Sequence, residues 1–185
     1  MTTDACWSAV PPSGTSATQK DWLTRPGSLT KLLATLGELR LAVILEKSSP
    51  PWKEDLDFLN AAPEDRFWIR EVLLLVDGEP CVFGHTVVRL DDSEGAWRSL
   101  RDLGDRPLAE LLYRDTEVIR SALTSAEMES SHPMAERVCD VVSRGRALSN
   151  GRLLARRSIF RRASRPLLVV ECMLPELWRR ADMRA

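Results

Sequence analysis

Two charged residues stand alone on otherwise apolar strand faces. In the first run of RFWIREVLLLVDGEPCVFGHTVVRL (66–90) strand alternation puts Trp68, Arg70, Val72 and Leu74 on one face, and in the last β-rich run of the chain it groups Leu167, Val169, Glu171 and Met173. Burying an ionised group costs several kcal/mol unless it is paired or meets a charged ligand. Three readings follow: an internal Arg70–Glu171 salt bridge, a strand that shows this face to water, or a site with something held between the two charges. Glu71 lies on the opposite face with Ile69 and Leu73. Charge therefore interrupts both faces, and alternation alone leaves the three readings open.

Other chemistries find little support. The chain has two histidines, His85 and His132, and neither stands in H-E-x-x-H or another ligand spacing. Neither G-x-S-x-G, G-x-x-x-x-G-K-[ST] nor G-x-G-x-x-G is present, which removes the usual nucleophile elbow, phosphate loop and dinucleotide fingerprint. Cys6, Cys81, Cys139 and Cys172 are far apart with no C-x-x-C, so they read as small buried hydrophobes rather than a zinc site or a disulfide framework. What remains is chemistry by charge placement.

Several elements must hold those charges. Residues 1–20 are rich in Ser, Thr, Pro and Ala and read as a loose arm before one domain spanning 21–185. Ser28 can cap a helix carrying Leu29, Leu32, Leu33 and Leu36 at spacings of three and four, ended by Gly37. LRLAVILE (39–46) reads as a strand, followed by a proline-punctuated loop with one helical turn. Residues 66–90 read as a β-hairpin turning at Asp77-Gly78, a dipeptide favoured in tight turns. Residues 93–113 read as two helical pieces broken at Gly104 and Pro107. The second piece is too apolar for a recognition helix, which points to a lid or core role. Residues 114–150 give only weak helical patterns. A second hairpin, turning at 163–166, closes the chain, so an α+β domain with an antiparallel sheet is expected.

The 185 residues carry 26 basic and 27 acidic side chains, leaving no global charge excess for a nucleic-acid backbone or an anionic membrane. Arg144, Arg146, Arg152, Arg156, Arg157, Arg161, Arg162 and Arg165 gather in the last third and read as a solvated face, or as an attractor for a dianionic substrate. No secretory signal is visible, and the longest apolar runs, VLLLV and PLLVV, are far too short to span a bilayer. A cytoplasmic monomer is expected.

WIREVLLLVDGEP, TVV, LGDRPLAELLY, RRSIF and RPLLVVECMLPELW, taken in order with the upstream WLTRPGSLTKLL, resemble the chorismate pyruvate-lyases of ubiquinone biosynthesis over about residues 22–178. The resemblance implies helical flaps over an internal ligand site, no cofactor, and conversion of chorismate to 4-hydroxybenzoate and pyruvate. It places the family's arginine on Arg70, its glutamate on Glu171, and two backbone contacts to ligand on Leu108 and Leu29. Ala109 replaces the glycine of the flap motif, and His85 stands where many members have an arginine. A non-catalytic module binding a small aromatic acid is the alternative, because the effector domains of GntR-type regulators are thought to share the fold.

Overall fold

A computed structural model of the chain describes residues 6–142 and 153–184. The chain begins with two short helices, α1 (Ala17–Thr24) and α2 (Leu29–Leu33), the second capped by Ser28, whose hydroxyl accepts from the Lys31 amide. Strand β1 (Leu39–Ser48), helix α3 (Lys53–Leu59), and the long strands β2 (Phe67–Val76) and β3 (Glu79–Arg89) follow. Then come α4 (Leu90–Glu94), a single 3₁₀ turn at Arg98–Leu100, α5 (Leu108–Arg114), and the short strands β4 (Ile119–Arg120) and β5 (Thr124–Met128). Helix α6 (Pro133–Val142), the closing hairpin β6 (Leu153–Arg162) and β7 (Arg165–Met173), and α7 (Pro175–Asp182) complete the order.

All the strand pairings are antiparallel, in the order β1-β2-β3-β7-β6-β4, with β5 also paired to β6. This is the α+β architecture expected. The first hairpin turns at Asp77 and Gly78, both at positive φ, closing a Val76–Glu79 pair. The second turns one pair tighter than its composition suggests. Ala163 and Ser164 take the two positive-φ positions, while Arg165 and Pro166 already pair in β7. One irregularity matters below. Between Val43 and Leu45 the β1–β2 register slips by one residue at Ile44, and Glu46 comes to lie opposite Arg70.

The helices divide between the sheet's two faces. On one face α3 and α6 pack on Phe67, Ile69, Leu73, Phe83, Val87, Leu168 and Val170. On the other, two separate apolar clusters form. One joins Leu23, Leu33, Leu74, Val82, Met173 and Leu177, while the second joins Val88, Trp97, Leu100, Leu112, Phe160 and Leu167. Arg70, Thr86 and Glu171 stand on this same face by strand alternation, among residues of both clusters.

Local differences from expectation have physical causes. In the presumed arm, Ser8 pairs with Ser125, the Trp7 indole donates to Glu54, and α1 already begins at Ala17 behind a Ser16–Gln19 capping box. The first helical piece after the hairpin shrinks to α4 and the 3₁₀ turn. Gly95 ends α4, and Trp97 is instead buried, its indole donating to the Arg165 carbonyl at 3.1 Å. Cys81 and Cys172 are buried as expected, and burial pushes their thiols up to about 11 and about 12. Cys6 and Cys139 are exposed, contrary to expectation. Among the described residues no helix is long and apolar enough to cross a membrane.

Candidate active site

The seam between the two apolar clusters opens into a cavity of about 60 Å³. Strands β2, β3 and β7 form its floor, through Arg70, Thr86, Val169 and Glu171. Gly84 lies directly between Val72 and Glu171, and a Cβ there would stand 3.0 Å from Val72 Cγ2. The bare backbone keeps the floor open beside the carboxylate. From one side the roof is α2, through Leu29 and Thr30, and from the other it is α5, through Leu108, Ala109, Leu112 and Tyr113. Leu29 and Leu108 are each the first residue of their helix. A helix start leaves its first amides without intrahelical partners. Ala109, helical and half-buried, gives α5 a better helix former than glycine in the lid's first turn.

Arg70 and Glu171 line one cavity, and each has its own partner. Arg70 is 2% exposed; its Nη1 donates to Glu46 Oε1 at 2.9 Å, and its Nη2 to the carbonyls of Gly104 at 2.7 Å and Arg106 at 3.3 Å. The guanidinium thus fastens the loop that leads into α5. Glu171 Oε2 accepts from Arg156 Nε at 2.6 Å. Arg156 in turn donates through Nη1 to the carbonyls of Trp22 at 2.8 Å and Arg25 at 3.1 Å, anchoring the turn before α2. No direct Arg70–Glu171 bridge forms among the described residues, which removes that reading of the pair. All four residues assigned to the site, Arg70, Glu171, Leu29 and Leu108, meet at this cavity.

Other lining residues escaped sequence reasoning. Arg120 reaches the cavity from β4, with Nε donating to Ser158 Oγ at 2.9 Å and Nη1 to Tyr113 Oη at 2.8 Å and the Gly27 carbonyl at 3.2 Å. Burial lowers its guanidinium pKa, with Tyr113 and Glu171 acting in the opposite sense. Tyr113 also donates to Gly27, at 2.6 Å, which ties the two roof pieces together. The arginine-rich stretch is not uniformly a solvated face. Arg156 is 1% exposed beneath Glu171, and Arg157 is sandwiched by Trp7 and Phe58 and paired with Glu54 at 2.9 Å. The cause is alternation, since two adjacent arginines in one strand must serve opposite sides of the sheet. Arg144, Arg146 and Arg152 lie outside the described residues.

His85 points away from this cavity. On the opposite face it stacks on Trp52 at 4.0 Å and lies 3.2 Å from Asp55 and 3.5 Å from Glu71. Burial pushes its pKa down, but the two carboxylates outweigh that and raise it to about 9. Glu71 also pairs with Arg137 at 2.7 Å, and it is held below its usual value by His85 and Arg137 despite burial. His132, read as a loop residue, is buried ahead of α6, with Nε2 2.8 Å from Glu54 and Nδ1 accepting from the Met134 amide.

A chain 37% identical over 179 residues, covering 97% of this chain and 88% of the other, is a "Probable chorismate pyruvate-lyase" of Bordetella avium (strain 197N). Another, 35% identical over 182 residues and covering 98% and 96%, is "Probable chorismate pyruvate-lyase 1" of Pseudomonas fluorescens (strain Pf0-1). Among solved structures, PhnF from Mycobacterium smegmatis aligns with a TM-score of 0.55 at 12% identity, covering 82% of this chain and 65% of that one. The C-terminal domain of the histidine utilization repressor from Pseudomonas syringae pv. tomato str. DC3000 gives 0.53 at 12% identity, covering 75% and 93%. These two likenesses show the fold alone. The model of the family described as Chorismate lyase matches residues 1–183, and with relatives this similar over nearly the full length the chain belongs to that family.

Proposed function

We propose that this chain converts chorismate to 4-hydroxybenzoate and pyruvate, as the first step toward ubiquinone. One observation carries the reading: Arg70 and Glu171 stand on separate strands of one roofed, largely apolar cavity, each held by its own partner, with the first residues of α2 and α5 among those that line it.

In the reaction the ring's ether C–O bond breaks and the carbon bearing the hydroxyl loses its hydrogen. The departing enolpyruvate gains a hydrogen at its methylene carbon and becomes pyruvate, and the ring becomes aromatic. Much of the driving force therefore resides in the substrate. The protein has to select the reactive conformer, hold its charges and keep water out. Arg70 receives the ring carboxylate with its planar fork, assisted by the Leu29 and Leu108 amides. Glu171, steadied by Arg156, addresses the ring hydroxyl. The hydrogen travels either by way of the Glu171 carboxylate or directly from ring to enolpyruvate, and Glu171→Gln separates the two routes. Direct transfer leaves kcat within about tenfold of the parent, whereas loss of a general base costs about 10²–10⁴-fold.

Purified protein incubated with chorismate is expected to release 4-hydroxybenzoate and pyruvate in equal amounts. Product at the rate of the uncatalysed reaction would overturn the proposal. Binding of 4-hydroxybenzoate without turnover would identify a ligand-binding module instead.

A further inference from the structure

Three cations approach the cavity, and they differ in what neutralises them. Arg70 has Glu46, and Arg156 has Glu171. Arg120 has no carboxylate within ion-pair distance among the described residues; its acceptors are a serine hydroxyl, a tyrosine hydroxyl and a backbone carbonyl. Its guanidinium lies 5.1 Å from the Phe160 ring centroid, a contact that orients the charge without cancelling it. A partly buried cation with no carboxylate in ion-pair contact is a ready partner for an anion that enters the cavity.

Its position is equally telling. Arg70 stands on β2 and Arg120 on β4, four strand spacings apart across the floor, with Glu171 on β7 between them. At about 4.8 Å per spacing the two arginine backbones lie roughly 19 Å apart, and both side chains reach inward to the same cavity. A molecule filling that span carries one anionic group at each end and a hydroxyl in the middle.

We propose that Arg120 binds the second carboxylate of the substrate, the one on the three-carbon side chain that leaves, while Arg70 binds the carboxylate that stays on the ring. This assignment rests on the chorismate reading above and adds a distinction that the reading does not contain. Arg70 is engaged by substrate and product alike, whereas Arg120 is engaged only while the three-carbon fragment is present. Loss of that fragment returns Arg120 to its neutral acceptors and removes one of the two anchors on the ligand.

The experiment measures binding rather than turnover. One probe is 4-hydroxybenzoate. The other is a stable dicarboxylate, 4-hydroxybenzoate carrying a lactate joined through an ether at ring position 3. Arg120→Gln is expected to weaken the dicarboxylate by about 100-fold and 4-hydroxybenzoate by less than about threefold, with Arg120→Lys recovering part of the loss. Tyr113→Phe, which removes a tether of the roof but keeps the cation, is expected to preserve the preference for the dicarboxylate. Should Arg120→Gln not fold, the parent protein supplies the same comparison. The probe whose lactate carboxylate is converted to an amide is expected to bind about 100-fold more weakly than the free acid.

Equal weakening of both probes in Arg120→Gln, or no discrimination between acid and amide by the parent, would overturn the assignment. Preference for the dicarboxylate in a protein that does not turn over chorismate would leave the two-anchor site standing and overturn the lyase reading instead.

Discussion

The two faces of the sheet carry buried charges in the same strands, one residue out of step: Arg70 against Glu71, and Arg156 against Arg157. On the face covered by α3 and α6 the charges neutralise one another. His85 sits between Asp55 and Glu71, Arg137 closes on Glu71, and Arg157 and His132 share Glu54. On the face covered by α2 and α5 the pairs stand apart around a cavity, and Arg120 meets no carboxylate among the described residues. Burial of charge is common to both faces. What distinguishes the candidate site is an incomplete set of counter-charges beside open space.

This contrast can be broken from either side. The largest effect is expected for Arg70→Met, which keeps the stem and removes the fork: kcat/KM for chorismate should fall by about 10²–10³-fold in steady-state kinetics. The same variant should bind 4-hydroxybenzoate more weakly, unlike Arg120→Gln. It should also lose stability, because the Gly104 and Arg106 carbonyls and Glu46 lose their donor.

On the opposite face Glu71→Gln should lower unfolding free energy by about 3 kcal/mol in urea titration while leaving kcat/KM of the folded fraction unchanged. The pH profile sharpens the point. The His85 pKa is raised from 6.5 to about 9, so the stability it contributes is complete below pH 6.5 and fades as pH climbs through about 9. Glu71 is lowered from 4.5, so its contribution is present above pH 4.5 and is lost as pH falls through the depressed value. His85→Gln should therefore flatten the stability slope between pH 6.5 and 9. A profile in that variant as steep as the parent's would show that other groups produce the slope. The smallest change is expected for Trp52→Leu, which removes the stack on His85 and should cost about 1–2 kcal/mol of stability with no change in catalysis.

Strand alternation was enough to mark Arg70 and Glu171 as lone charges on apolar strand faces, because the runs around them are long and apolar. The backbone roles of Leu29 and Leu108 rested on resemblance, since periodicity shows which face a leucine covers but not that its amide opens a helix. Partners were illegible. Glu46 meets Arg70 across strands, and Arg156 hides within a run of arginines whose composition reads as solvent-facing. Arg120 belongs to a strand of two residues, too short to show any period. His85 stands where many members of the resembled family have an arginine, and its place in β3 between Gly84 and Thr86 sends it through the sheet to the side away from the cavity.

The irregularity at Ile44 has a further consequence. Counted straight across from the Val43–Val72 pair, β1 would set Leu45 against Arg70; the extra residue advances the strand by one step and delivers Glu46 instead. The counter-ion of Arg70 is thus a matter of phase rather than of composition. Deleting Ile44 would take out the extra residue and keep Glu46 opposite Arg70, so the ion pair is expected to survive a deletion that straightens the strand.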